Sequence, residues 1–334
     1  MKIPLLLLAL VLLSACLSQQ EQTPIGARQT TGVTHTPTPQ LIQTNPATIT
    51  SSPIPSPPAA TAMPTTTPAV APTASPPPSP TPSPSPLSFA VIGDYGTNGP
   101  GSLDVAALVN SWDPDLVLTV GDNNYPDGAA ETIESNIGQL YGRFIDEARF
   151  FPTLGNHDMT TDLGRPYLEY FTLPGNERYY DFVRGPIHFF AINSDWREVD
   201  GIGAGSSQAE WLRAGLAASA TPWQVVYFHA PPYVSMSAKQ VPALRWPFAA
   251  WGADLVLSGH AHLYERLQID GIPFVVNGLG GGGIYAFDAV AVPGSQVCYN
   301  DDYGALLVEA FPGHLALQFV TRAGLIIDVV QVQK

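Results

Sequence analysis

Cysteine, basic residues and long apolar runs are all scarce in this sequence, and each scarcity excludes a class of protein. Two cysteines among 334 residues cannot form the framework of several disulfides that holds small secreted domains. The 14 Lys and Arg face 28 Asp and Glu, a formal net charge of −14, which argues against nucleic acid as a bulk partner. The apolar run at 5–13 is too short to span a bilayer as a stable helix.

The N-terminus has the pattern of a secretory signal. Lys2 precedes the apolar run, and the Leu-Ser-Ala-Cys sequence at 13–16 follows it. This tetrapeptide resembles the bacterial lipobox, which implies cleavage before Cys16 and lipid attachment to its thiol. The alternative is an ordinary signal peptide with a cysteine at this place by chance. We expect a lipoprotein signal peptide at 1–15 and an extracytoplasmic protein, lipid-anchored through Cys16 to a bacterial membrane or cell surface.

Proline dominates the next segment, which has almost no charge. Residues 17–86 contain more than half of the chain's 34 prolines, and their only charged residues are Glu21 and Arg28. Such a segment cannot bury enough apolar surface to offset its chain entropy, and its prolines favour extended polyproline II. We expect residues 16–86 to form a disordered tether and residues 87–334 to form one α/β domain.

The first part of this domain alternates between apolar and amphipathic segments. The pattern predicts three strands and two helices in the order strand 87–92, helix 102–110, strand 116–120, helix 131–147 and strand 150–154. Such alternation is typical of a parallel sheet that is buried on both faces. Ligands of these sheets bind at the carboxyl ends of the strands.

The second part predicts a further set of strands. An antiparallel pair is expected at 178–183 and 187–193, followed by a helix at 207–219 and a strand at 223–228. Further strands are predicted at 254–257, 273–276, 305–309 and 315–321. We expect the last three strands to complete a second sheet, so that two mixed sheets pack face to face with helices outside.

Polar motifs end or follow five of the predicted strands. They read G-D-Y-G at 93–96, G-D-N-N-Y at 121–125, G-N-H-D at 155–158, His229, and G-H-A-H at 259–262. A buried carboxylate needs a partner, which a metal ion provides, although an aspartate after a strand can also cap a helix. The motifs offer more oxygen and imidazole donors than one ion needs. They predict two adjacent metal ions and metal-assisted hydrolysis.

A glycine-rich run at 278–283 formally contains the G-x-G-x-x-G pattern of a dinucleotide site. The residues that follow it do not have the pattern of a helix start, so we do not expect a dinucleotide site in this sequence. We expect a flexible loop near the metal site.

The five motifs together resemble the calcineurin-like metallophosphoesterases and, within them, the purple acid phosphatases. The resemblance implies a four-layer sandwich of two mixed β-sheets, packed face to face and flanked by helices. Most of the wider superfamily has D-x-H in the first motif, whereas this chain has Gly96 at the histidine position. Tyr125 stands where purple acid phosphatases use a tyrosine ligand, and a phenolate suits Fe(III) as a hard donor.

The resemblance also implies a ligand set for each ion. The first ion, expected to be Fe(III), would be held by Asp94, Asp122, Tyr125 and His262. The second ion, expected to be divalent Zn, Mn or Fe, would be held by Asp122, Asn156, His229 and His260. Asp122 would bridge the pair.

The predicted reaction is hydrolysis of a phosphate monoester by in-line attack of a metal-bound hydroxide. By resemblance, His157 would contact the phosphate or protonate the leaving group, and Asp158 would orient it. The family often has further histidines shortly after the His229 position, but residues 230–236 contain none. The leaving-group acid therefore stays open. The sequence also leaves the oligomeric state open. The alternatives are a phosphodiesterase or nucleotidase on the same scaffold, and a non-catalytic surface binding module with structural metals.

Overall fold

A computed structural model describes residues 86–334, and the structural statements below concern this part of the chain. The predicted signal peptide, Cys16 and the predicted tether up to residue 85 lie outside the described residues. No helix within residues 86–334 is both long and apolar enough to cross a membrane.

The first sheet has a parallel half and an antiparallel half. The parallel strands are β1 (Leu87–Ile92), β2 (Leu116–Thr119) and β3 (Phe150–Pro152). The antiparallel strands come from the C-terminal end of the chain, namely β11 (Gly304–Ala310), β12 (His314–Thr321) and β13 (Ile326–Gln333). The sheet order is β13-β12-β11-β1-β2-β3, so β1 joins the two halves.

The second sheet contains the seven intervening strands. They are β4 (Tyr180–Arg184), β5 (Ile187–Ala191), β6 (Trp223–Tyr227), β7 (Leu255–Ser258), β8 (Tyr264–Ile269), β9 (Ile272–Asn277) and β10 (Ser295–Tyr299). The sheet order is β10-β8-β9-β7-β6-β5-β4. Strands β5, β6, β7 and β9 run parallel, whereas β4, β8 and β10 pair antiparallel with their neighbours.

Helices connect the strands and cover the outer faces of both sheets. They are α1 (Pro100–Trp112), α2 (Ala130–Ile133), α3 (Gln139–Asp146), α4 (Arg165–Tyr170), α5 (Ser207–Ala218) and α6 (Phe248–Trp251). A π-helical turn, Glu134–Gly138, joins α2 to α3. Helix α5 begins after Ser206, whose side chain accepts a hydrogen bond from the Ala209 N–H at 3.2 Å.

The alternation of side chains along each strand produces four layers. Phe89 and Val91 of β1 belong to the core between the sheets, whereas Ala90 and Ile92 belong to the core beneath α1 and α3. The Phe89 ring meets Phe189 of the second sheet edge to face, with their ring centroids 5.3 Å apart. A third core packs the other face of the second sheet against α5 and α6. The predicted fold of two mixed sheets with flanking helices is confirmed.

One part of the predicted strand arrangement is wrong. The strands expected at 305–309 and 315–321 join the first sheet and not the second, since β11 pairs with β1 and sets Leu306 opposite Val91. Strands β8, β10 and β13 were not predicted. An apolar run shows that a segment forms a strand, but pairing between segments more than 200 residues apart depends on the packing of the whole domain.

Candidate metal centre

Tight turns place two aspartates at neighbouring strand ends. Asp94 follows β1 and Asp122 follows β2, and both have left-handed backbone angles, with φ of 57° and 51°. This conformation is uncommon for a residue with a side chain, and it often marks a functional site. A Cβ atom at Gly93 would lie 2.5 Å from a Val120 methyl group, which explains the glycine before Asp94.

Each aspartate uses one carboxylate oxygen to fix its orientation. The Asp94 Oδ2 atom accepts a hydrogen bond from the His260 N–H at 2.8 Å, and the Asp122 Oδ1 atom accepts one from the His157 N–H at 2.9 Å. Both side chains are buried. The second oxygen of each carboxylate is therefore directed into a shared space with its position already fixed, as a metal ligand requires.

Five of the predicted ligands form two groups that share one residue. Asp94, Asp122 and His262 offer atoms that all lie within 4.8 Å of one another, and so do Asp122, His229 and His260. The His262 Nε2 atom lies 3.2 Å from Asp94 Oδ1, and the His229 Nε2 atom lies 3.2 Å from Asp122 Oδ2. Asp122 is thus the residue shared by two adjacent candidate ion sites.

Tyr125 and Asn156 complete the two groups. The Tyr125 hydroxyl oxygen lies 3.1 Å from Asp122 Oδ2 and 3.2 Å from His262 Nε2, which places it in the first group. The Asn156 Oδ1 atom lies 3.2 Å from His229 Nε2, which places it in the second. The structure brings all seven predicted ligands together, in the division that the sequence resemblance implied.

The electrostatics of the second group favour a bound cation. The His229 Nδ1–H donates to the Val120 carbonyl at 2.8 Å, so its Nε2 atom faces the site. That Nε2 atom lies only 3.1 Å from the His260 Nδ1 atom, so two imidazole nitrogens face each other. Burial alone would lower the pKa of His229, but the carboxylates of Asp122 and Asp94 raise it to about 9. A cation at this place would replace the proton that the carboxylates attract.

The first group is richer in anionic oxygen. Burial alone would raise the pKa of Asp122, but His229 and the His157 N–H hold it below its ordinary value, so the carboxylate is charged. Burial, followed by the charges of Asp94 and Asp122, raises the pKa of the Tyr125 phenol far above its ordinary value. A metal cation bound beside these oxygens would favour the ionised form of the phenol. The donor set therefore fits a hard metal ion.

His157 lies at the mouth of the centre. Its side chain is 38 % exposed, and its Nε2 atom lies 4.0 Å from Asp122 Oδ2. The ring packs against Tyr125, and its Nδ1 atom contacts the carbonyl oxygen of Pro126. These contacts hold the ring while Nε2 faces the site, within reach of a molecule bound there.

Asp158 has a different position from the one expected. Its buried carboxylate accepts hydrogen bonds from the backbone N–H groups of Asn123, Asn124 and Gly155 at 2.8–3.1 Å, and it makes no hydrogen bond to the His157 ring. The expectation that Asp158 orients the His157 ring is therefore wrong. Burial, and after it the Asp122 carboxylate, raises the pKa of Asp158 to about 7, against the lowering effect of these N–H groups. Asp158 joins the two loops that carry the ligands.

The glycine-rich run is packed tightly against the centre. A Cβ atom at Gly280 would lie 2.3 Å from the Gly93 carbonyl oxygen, and one at Gly282 would lie 2.6 Å from the carbonyl oxygen of Asp94. The expected position near the metal site is therefore correct. The expectation of a loose loop is not, because these glycines allow close backbone approach.

Two further residues support the ligands without belonging to a recognisable motif. The Arg197 guanidinium donates to the Asn156 carbonyl at 2.8 Å and pairs with both oxygens of Asp195 at 2.7 and 2.8 Å. The Tyr285 ring stacks on His262, with ring centroids 4.1 Å apart. Sequence reasoning missed both, since an isolated arginine or tyrosine in a loop has no local pattern that indicates its partner.

Comparison with known proteins agrees with this geometry. Residues 87–264 match the calcineurin-like phosphoesterase family. Purple acid phosphatase 15 of Arabidopsis thaliana is 29% identical over 218 residues, covering 53% of this chain and 40% of that protein. The Fe(3+)-Zn(2+) purple acid phosphatase 12 of the same plant is 26% identical over 222 residues, covering 58% of this chain and 46% of that protein. The chain thus spans less than half the length of these curated relatives.

A solved structure has the same fold. Purple acid phosphatase PPD1 from yellow lupin (Lupinus luteus) seeds has a TM-score of 0.62 at 21% sequence identity, covering 75% of this chain and 54% of that one. At this identity the likeness shows the fold alone. The family match spans more than half of the sequence and contains all five polar motifs. The chain therefore belongs to the calcineurin-like phosphoesterase family.

Proposed function

We propose that this protein is a binuclear-metal phosphatase that hydrolyses phosphate monoesters. The observation that carries the proposal is the pair of ligand groups that share Asp122. A site built only to hold the fold needs one closed set of ligands, whereas two adjacent ions suit the clamping of a phosphoryl group during in-line displacement.

The proposed ions are Fe(III) in the first group and divalent Zn, Mn or Fe in the second. Asp94, Asp122 and Tyr125 provide three side chains that can be anionic, which suits a trivalent ion. The second group is richer in nitrogen, which suits a divalent ion. A relative whose name specifies Fe(3+) and Zn(2+) supports this assignment. When bound, the pair supplies the positive charge that stabilises the transition state of phosphoryl transfer.

The protein's own residues would position the substrate and move protons. The His157 Nε2 atom faces the centre and is accessible, so it can contact the phosphate or donate a proton to the leaving oxygen. The Asp122 carboxylate accepts a hydrogen bond from the His157 N–H at 2.9 Å. This bond fixes the loop that carries His157, the proposed proton donor, relative to Asp122, the proposed bridging ligand. Asp158 keeps this loop beside the 121–125 loop and touches no reacting atom.

Elemental analysis combined with a substrate screen tests the proposal. The purified protein should contain two metal ions per chain and should turn over an aryl phosphate monoester faster than the matching diester. Preference for the diester would favour the phosphodiesterase or nucleotidase alternative. Two bound metals without turnover of any phosphate ester would favour the surface binding module.

We also propose that the protein is extracytoplasmic and anchored to a membrane by lipid on Cys16. The support comes from the sequence at 1–16 and from the proline-rich segment that follows. Expression with a radiolabelled fatty acid should label the wild-type chain and leave Cys16→Ser unlabelled. Equal labelling of the two chains, or none of either, would contradict the anchor.

A further inference from the structure

A cleft of about 180 Å³ opens directly beside the second ligand group. Its lining includes three of the proposed ligands, namely Asn156, His229 and His260. The remaining lining residues are mostly apolar, with Trp196, Ile202, Ala230 and Val241 among them. A substrate whose phosphate occupies the metal centre can therefore extend its leaving group into this cleft.

Trp196 is the most unusual of these residues. Its side chain is 80% exposed, although a large aromatic side chain is normally covered in a folded domain. The neighbouring Arg197 fixes the loop, because it pairs with Asp195 and donates to the carbonyl of Asn156. The Arg197 guanidinium carbon also lies 5.7 Å from the centroid of the indole ring. The loop thus places the indole at the rim of the cleft, next to Arg197, which contacts the proposed ligand Asn156.

The lining of the cleft is mainly apolar. Among the described residues that line it, none is a lysine or an arginine. Two cations lie outside the lining but near it, since Arg197 pairs with Asp195 and Lys239 is close enough to His260 for its charge to act on that imidazole. The lining therefore offers apolar surface, on which a ring would replace water.

We propose that the cleft is a leaving-group subsite that selects phosphate monoesters of flat aromatic alcohols, with the ring stacked on Trp196. The inference rests on the proposed phosphatase function and specifies its substrate class. Ala230, which belongs to the segment 230–236 that lacks histidines, would form part of the apolar wall. Trp196 is a binding residue for the leaving group and takes no part in proton transfer.

The experiment uses the full chain with both metals bound and compares three variants with the wild type. Trp196→Ala removes the indole, and Trp196→Phe keeps an aromatic ring. Val199→Ala is the matched control, because Val199 is 75% exposed in the same loop and is outside the cleft lining. Binding of phenylphosphonate and methylphosphonate is measured by calorimetry, and kcat and KM are measured for phenyl phosphate and glycerol phosphate.

We expect Trp196→Ala to weaken phenylphosphonate binding about tenfold and to raise the KM for phenyl phosphate about as much, as loss of one stacking contact would do. Methylphosphonate binding and the KM for glycerol phosphate should stay within about twofold, because neither molecule carries a ring to stack. Trp196→Phe should recover most of the loss, and Val199→Ala should behave as the wild type.

The outcomes separate this inference from the proposed function. Equal effects of Trp196→Ala on the phenyl and methyl ligands, or no effect on either, would overturn the subsite even if turnover is normal. A wild type that hydrolyses no ester but binds phenylphosphonate through Trp196 would overturn the phosphatase and keep the subsite.

Discussion

Replacement of Asp122 by asparagine should empty both halves of the metal centre. Asp122 is the one residue common to the two ligand groups, and its Oδ2 atom lies 3.1 Å from the Tyr125 hydroxyl oxygen and 3.2 Å from His229 Nε2. The change keeps the shape of the side chain and removes its charge. It therefore tests whether the negative charge between the two groups holds the ions.

The size of the effect follows from the distances within the centre. Two unit charges about 4 Å apart attract each other by about 4 kcal/mol at an effective dielectric constant of about 20. About 4 kcal/mol corresponds to roughly a thousandfold in affinity. Each ion should therefore bind at least a thousandfold more weakly, and turnover should fall with metal content.

The assay is metal content by elemental analysis after gel filtration, measured together with turnover of an aryl phosphate. His260→Ala is the informative comparison, because His260 belongs to only one of the two groups. We expect two ions in the wild type, one in His260→Ala and none in Asp122→Asn. Two retained ions in Asp122→Asn, or the loss of both ions in each variant, would refute the bridging role.

Three further predictions concern neighbouring residues. In protein stripped of metal by a chelator, folding raises the pKa of His229 from 6.5 to about 9. The protonated imidazole therefore stabilises the folded state fully below pH 6.5, and this stabilisation is lost as the pH rises through 9. Urea unfolding should show a loss of about 3 kcal/mol over this interval, and His229→Gln should abolish that loss. Iron-loaded Tyr125→Phe should lack a visible absorption band that the wild type shows, and an unchanged band would exclude Tyr125 as an iron ligand. Gly282→Ala should lower the free energy of unfolding by about 1–3 kcal/mol, since the added Cβ atom would lie 2.6 Å from the Asp94 carbonyl oxygen. Gly203→Ala, where a Cβ would meet nothing within 4 Å, should have a smaller effect, and equal effects would contradict the packed loop.

Local sequence was sufficient to predict which side chains the structure brings together at the candidate metal centre. Each predicted ligand stands at or just after an apolar strand, and parallel strands of one sheet bring their carboxyl ends to a common edge. Asp94 and Asp122 could therefore be placed together from β1 and β2 alone, whose register sets Val91 opposite Leu118. The family motifs supplied the order of the remaining ligands. These features depend on a few consecutive residues each.

The arrangement between distant segments was decided only by the tertiary structure. The C-terminal strands joined β1 in the first sheet, since strand pairing depends on which apolar faces can be buried together and not on the strand's own pattern. Asp158 follows His157 in sequence, but its carboxylate accepts hydrogen bonds from Asn123 in the 121–125 loop and from Gly155 in its own loop, and not from the His157 ring. Arg197 meets Asn156, about 40 residues away, only in the folded domain, and Trp196 lines the same cleft as Asn156 only there. The sequence by itself determined which donor side chains meet at the candidate centre, because they follow from residue type and strand position. Packing decided the surroundings, because a side chain's environment is made by residues that are remote in the chain.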